Sequence, residues 1–175
     1  MYKAVWIPAL VFAGWAGWWD WRSRRIPNWL TVPALGVGLA ANAIVAGWSG
    51  AKTSLEGAGL ALVLLLPVVL LRGLGAGDWK LSGALGAFVG PLGILTVLIY
   101  AILIAGAMAI FEMIRQKKVI TTLSNLWQLV KGFFIFGLRP NPKISLDNPG
   151  LLKLPFGVAA AVATVLFFLA GGAGR

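Results

Sequence analysis

The chain has 175 residues, of which 59% are hydrophobic and 11% are charged, and its mean hydropathy is +0.89. A soluble domain carries roughly 25% charged residues, and a soluble fold of this composition would expose apolar patches far above the usual limit; a bilayer solvates that surface instead. The net charge is +10, and cysteine and histidine are both absent, which excludes disulfides, thiol nucleophiles, Ser-His and Cys-His hydrolases, and metal sites built on those residues.

The first apolar run, Ala4–Trp19, extends through Asp20 and Trp21 and is followed by Arg22, Arg24 and Arg25. That ending fits a retained membrane helix better than a cleaved signal peptide. The second run is Trp29–Trp48. The third is Leu55–Leu71, with Glu56 near its start and Pro67 inside it. A membrane span takes about 20 apolar residues. The fourth run, from Asp78 to about Gly90, falls short of that, as a half-span or a helix in thinned bilayer would. Pro91 breaks the chain. The fifth run is Leu92–Phe111 and the sixth is Leu154–Ala170. Between them, Ile120, Leu123, Trp127, Val130 and Phe134 recur at helical spacing within Val119–Leu138. They predict an amphipathic helix on the membrane face, closed by Arg139-Pro140-Asn141-Pro142. The reading is all-α: one membrane-embedded domain over 1–175, with about six transmembrane helices and an insertion at about 112–153.

Basic residues fix the orientation. The segments 20–28, 72–80 and 112–153 hold twelve of the 15 lysines and arginines, against Lys3, Lys52 and Arg175 on the other side. The positive-inside rule places the first group in the cytoplasm and both termini outside. Five spans or seven would break this sorting. No basic stripe on a soluble fold is visible, so the charge reports topology rather than nucleic-acid binding. Trp18, Trp19, Trp21, Trp29 and Trp79 fall near the cytoplasmic interface, as an aromatic belt would.

Five acids remain to be placed. Asp147 precedes Asn148-Pro149-Gly150, where a turn role suffices. Glu56 opens the third span on the outside. Glu112 stands three residues before Arg115, the spacing of a helical ion pair. Asp20 and Asp78 differ: each sits where a span meets the cytoplasmic face, and ionisable groups at membrane depth are costly and usually functional. The bland alternative is a pair of solvated helix ends matched to Arg22 and Lys80. Asp78 lies in Gly75-Ala76-Gly77-Asp78-Trp79-Lys80-Leu81. Two glycines there let another backbone or a substrate strand approach the carboxylate, and the Walker pattern is absent. After Asp20, Pro27 and Asn28 end the loop, with Asn28 as the expected helix cap.

An Asp followed by basic residues and Ile26-Pro27-Asn28, then Gly75-x-Gly77-Asp78-x-Lys80-Leu81 opening a later helix, resembles the type IV prepilin peptidase family. These are intramembrane aspartic proteases of the GxGD type. Leu154-Pro155-Phe156-Gly157 is similar to the start of the family's final helix. The resemblance implies that Asp20 and Asp78 are the catalytic pair, with Arg22, Pro27, Asn28, Gly75, Gly77 and Lys80 in support and no metal or organic cofactor. It implies a membrane-anchored prepilin with a short basic leader as substrate, cleaved at the cytoplasmic face of a bacterial inner membrane. The chain lacks the length and the cysteine tetrad of members with a methyltransferase region. It looks like the short, peptidase-only form serving tight-adherence (Flp-type) pili, for which no product methylation is expected. Partners implied are the prepilin and the bilayer, without nucleic acid; self-association is compatible with such a bundle.

Two neighbouring carboxyls share a proton and titrate as a unit. The ionised one activates water, and the protonated one polarises the scissile carbonyl. Helix dipoles favour the anion at Asp78, which starts its helix, and the proton at Asp20, which ends its own; Arg22 opposes that assignment. A transporter or channel using Asp20 and Asp78 as ion or proton sites is the main competing class. A Ser82/Lys80 dyad is disfavoured, because i, i+2 spacing points the two to different helix faces. A non-catalytic scaffold would make both acids dispensable.

Overall fold

The computed structural model describes residues 3–117, Ser124, Trp127 and 155–171. The described residues form four helices and no strand: α1 (Lys3–Ser23), α2 (Asn28–Leu70), α3 (Ala76–Arg115) and α4 (Phe156–Leu169). Runs of leucine and alanine supply the helix propensity. In an apolar surround a helix also satisfies every backbone group within its own segment.

α2 and α3 each contain one residue outside helical geometry, Gly47 (φ 59°, ψ −144°) and Gly90 (φ 73°, ψ −179°). Glycine enters that region without the steric cost of a Cβ. The chain turns back at both positions. The first half of α2 runs parallel to the first half of α3: Asn28 meets Lys80, and Asn42 meets Ala87. The second half of α2 runs the other way, so that Ser54 meets Ala87, Gly57 meets Gly86 and Trp79 meets Leu62. Past Gly90 the direction reverses again, taking the chain from Gly93 beside Phe167 to Glu112 within Coulombic range of Arg24. α4 lies antiparallel to α1, with Gly157 at Asp20, Ala161 at Gly17 and Phe168 at Trp6. The described helices thus make rods that alternate in direction, and both acid motifs lie at one end.

The predicted second and third spans are therefore halves of one helix. The expected loop between them shrinks to Gly47, and residues 48–54 are helical. α1 runs on to Ser23, the break before the fifth run falls at Gly90 beside Pro91, and α4 starts at Phe156. The Val119–Leu138 amphipathic helix lies outside the described residues apart from Ser124 and Trp127, which are helical and exposed. The Asp147 turn and Leu154 also lie outside them.

The first half of α3 is the central rod, buried continuously from Leu81 to Gly90. Phe88 stacks on Phe12 of α1 at 5.9 Å, and Ile94, Val97 and Phe168 close the core around it. Pro91 has no N–H, so the Ala87 carbonyl four residues earlier lacks its helical donor. Asn42 Nδ2 donates to that oxygen at 2.8 Å, and Ser54 Oγ donates to it as well. Two polar side chains inside apolar helices are thereby explained: they complete the backbone of a broken neighbour.

α2 and α3 are long and apolar enough to cross a membrane, with mean hydropathies of 2.0 and 2.6 in their most apolar windows. Only 28% and 22% of those windows are buried. A core helix of a soluble protein would be buried mostly; these present their apolar faces outward, as lipid-facing helices do.

Candidate active site

α1 ends in a tight turn. The Arg24 N–H donates to the Asp20 carbonyl at 2.8 Å, with Arg24 at φ 51°. Ser23 Oγ donates to the carbonyls of Trp19 and Arg25 at 2.8 and 3.1 Å. The turn directs the chain so that Ile26, buried, enters the end of the bundle. There Ile26 separates two glycines. A Cβ on Gly77 would lie 3.0 Å from the Ile26 carbonyl oxygen, and one on Gly157 would lie 3.0 Å from Ile26 Cδ1.

Asp20 sits in the last turn of α1 and is only 4% exposed. Its Oδ2 accepts the Gly157 N–H at 2.7 Å, and its carboxyl also accepts the Val158 N–H. Both amides belong to the first turn of α4, where N–H groups lack the full set of helical partners; the Val158 N–H is shared with the Pro155 carbonyl at 3.2 Å. Asp78 is the third residue of α3, after the N-cap Gly75. Its carboxyl folds back to accept the Gly75 N–H, the side-chain half of a capping box. The carboxyls of Asp20 and Asp78 lie within Coulombic range of each other, and Arg24 acts on Asp20 in the same way.

The structure brings most of the sequence-predicted residues together at this end. Gly75 caps α3, and Gly77 packs on the Ile26 backbone. Of the two roles expected for these glycines, Gly77 serves close approach by the chain's own backbone; Ile26 fills the room a substrate strand would need. Pro27, not Asn28, is the N-cap of α2, with φ −75° and ψ 148°. The Asn28 side chain instead accepts Lys80 Nζ through its Oδ1 at 2.9 Å, tying the two acid motifs together. Arg22 is exposed, and the cation acting on Asp20 among the described residues is Arg24. The Ser82/Lys80 dyad does not form, since Ser82 Oγ donates to the Asp78 carbonyl oxygen at 2.9 Å and Lys80 turns to Asn28. Glu112 and Arg115 pair at 2.7 Å, as their spacing predicts, and Glu56 lies 3.8 Å from Lys52 on an exposed surface.

Trp15, Trp19 and Trp29 form edge contacts at the acid end, with ring centroids 5.8 and 5.3 Å apart. Trp79 has a further role. Its Nε1 donates to the Leu62 carbonyl at 2.8 Å, so it braces α3 against α2. A cavity of about 790 Å³, lined by Asn42, Thr53, Thr96 and Tyr100 among others, opens at the opposite end by Gly90 and is remote from both acids.

Three contributors are not legible in the sequence motifs: Ile26 as a spacer, Arg24 as the neighbouring cation, and the Gly157–Val158 amides as donors. Pro155 before an apolar run is the available signal for the last, because it marks a helix start whose N–H groups are unsatisfied. Comparison with curated proteins and with solved structures gives no match. The sequence model of the type IV leader peptidase family matches residues 7–110, a stretch that contains both acid motifs. That match covers more than half of the chain, and the chain belongs to the type IV leader peptidase family.

Proposed function

We propose that this protein is an intramembrane aspartic endopeptidase that removes the basic leader from type IV prepilin-like substrates, with Asp20 and Asp78 as its catalytic pair. The observation that carries this reading is the placement of two carboxyls from separate helices, α1 and α3, at one end of an apolar bundle and within Coulombic range of each other. Family membership supports the class of reaction. Arg22 in the last turn of α1, and Arg24, Arg25 and Arg72 in the loops, lie at the same end. By the positive-inside rule that end is cytoplasmic, the alternating rods are six crossings, and both termini lie outside.

The chemistry needs one proton shared between the pair. The ionised acid takes a proton from water as the water oxygen bonds to the scissile carbonyl carbon. The protonated acid gives its proton to the carbonyl oxygen, leaving a neutral tetrahedral diol. On collapse, the first acid passes its proton to the leaving nitrogen, the C–N bond breaks, and a diol hydroxyl returns a proton to the second acid. The products are a carboxylic acid and an amine, and both carboxyls regain their starting states.

Co-expression with short prepilins tests the reading. Asp20→Asn and Asp78→Asn are each expected to lower leader removal by about ten-thousand-fold, as loss of a principal catalytic group does, with unchanged expression. Leader removal by either variant at near wild-type rate overturns the assignment. An ion flux that depends on both acids while cleavage persists would place them in a transport site instead.

A further inference from the structure

We infer that the first turn of α4 belongs to the working site: the Gly157 and Val158 amides hold Asp20 in the orientation of the water-activating base, and Gly157 is the positioning residue that makes this contact sterically possible. The inference rests on the protease reading above and names which acid does what within it. Asp20 closes α1, where the carbonyl end of its own helix disfavours an anion. α4 approaches from the other direction and presents its amide end to the same carboxyl. Amides at a helix start are unsatisfied donors carrying partial positive charge, and they favour a carboxylate. Asp20 takes the Gly157 N–H from another helix at 2.7 Å and shares the Val158 N–H with the Pro155 carbonyl; the amide on Asp78 comes from the cap of its own helix. The Gly157 N–H, donated at 2.7 Å from the start of an opposing helix, makes Asp20 the ionised member and Asp78 the proton carrier, the reverse of what each helix considered alone predicts.

Steric fit makes residue 157 specific. A Cβ there would stand 2.9 Å from both Asp20 Cβ and Asp20 Oδ2, and 3.0 Å from Ile26 Cδ1. Asp20 cannot yield by swinging a flexible tip, because its Cβ is itself in the way. An alanine must push α4 from α1 or turn the carboxyl out of line. Displacement of a reacting group by about 1 Å costs on the order of a hundredfold in rate.

The test uses the full chain in detergent micelles or nanodiscs with a short prepilin substrate. Gly157→Ala is expected to lower kcat about a hundredfold with KM changed less than about twofold. Replacing Gly157 by glycolic acid converts that amide to an ester, removing the N–H without adding an atom to the side chain. It is expected to lower kcat about tenfold and also leaves KM in place, as loss of one hydrogen bond to a charged group does. In ¹⁵N-glycine-labelled protein the Gly157 amide signal is expected far downfield, moving in Asp20→Asn and staying put in Asp78→Asn. A wild-type kcat in the ester variant, or an amide signal indifferent to Asp20→Asn, overturns the inference while leaving the protease reading intact. Leader cleavage by both Asp→Asn variants sinks that reading and this inference with it.

Discussion

At the scale of single residues, the site depends on how little space two glycines occupy. Ile26 reaches the bundle end because the Arg24 turn redirects the chain, and it then rests on Gly77 through its backbone and on Gly157 through its Cδ1. A methyl group on Gly77 meets the Ile26 carbonyl, which cannot rotate aside as a side chain can. Gly77→Ala is therefore expected to destabilise the fold by about 1–3 kcal/mol, the usual cost of overpacking. Thermal unfolding in detergent measures it. Gly36→Ala is the matched control: nothing lies within 4 Å of a Cβ there, and its midpoint should match or exceed wild type, because alanine is the better helix former. Equal midpoints for both variants would mean that Ile26 does not pack where described.

At the scale of elements, the two long helices are each interrupted once, and the interruptions are mutually supported. Gly90 and Pro91 free the Ala87 carbonyl, and α2 answers from both of its halves with Asn42 and Ser54. Because two donors share one acceptor, their loss is not additive. Asn42→Leu or Ser54→Ala alone should cost about 1 kcal/mol. The double variant leaves a buried carbonyl without a partner, which adds a desolvation penalty of about 1–3 kcal/mol. A double-mutant cycle on unfolding midpoints reads this directly, and strict additivity would refute it. The same contact explains why α2 and α3 approach closely at Gly57 and Gly86, where small residues let backbones touch.

At the scale of the whole molecule, the rods place Asp20, Asp78, Arg22, Arg24, Arg25 and Arg72 at one end and the glycine breaks at the other. The chain has no cysteine, so single cysteines report sidedness cleanly. Ser49→Cys, beside the Gly47 turn, should react with an impermeant maleimide in intact spheroplasts. Ser23→Cys, at the end of α1, should react only after permeabilisation. The reverse pattern would invert the orientation derived from the arginines. Much of this architecture is legible in the residues alone. Apolar runs separated by arginines and glycines set the helical segments, and the shortness of the fourth run follows from its ending at Gly90. The loop expected after Trp48 does not form. Polar Ser49, Lys52 and Thr53 have the composition of a linker, yet helix continues through them once a single glycine supplies the turn.

Hydropathy, charge and two short motifs, all properties of neighbours along the chain, were enough to determine a helical membrane-type protein with Asp20 and Asp78 at a common end. They could not determine what holds Asp20, because its partner Gly157 lies 137 positions away. Only the closure of α4 against α1 brings that amide to the carboxylate, only Ile26 sets the spacing between the flanking glycines, and only the crossing of α2 over α3 gives Ala87 its donors. A hydrogen bond across such distances depends on where rigid helices come to rest, and that is decided by packing around the buried half of α3 rather than by any local pattern of residues.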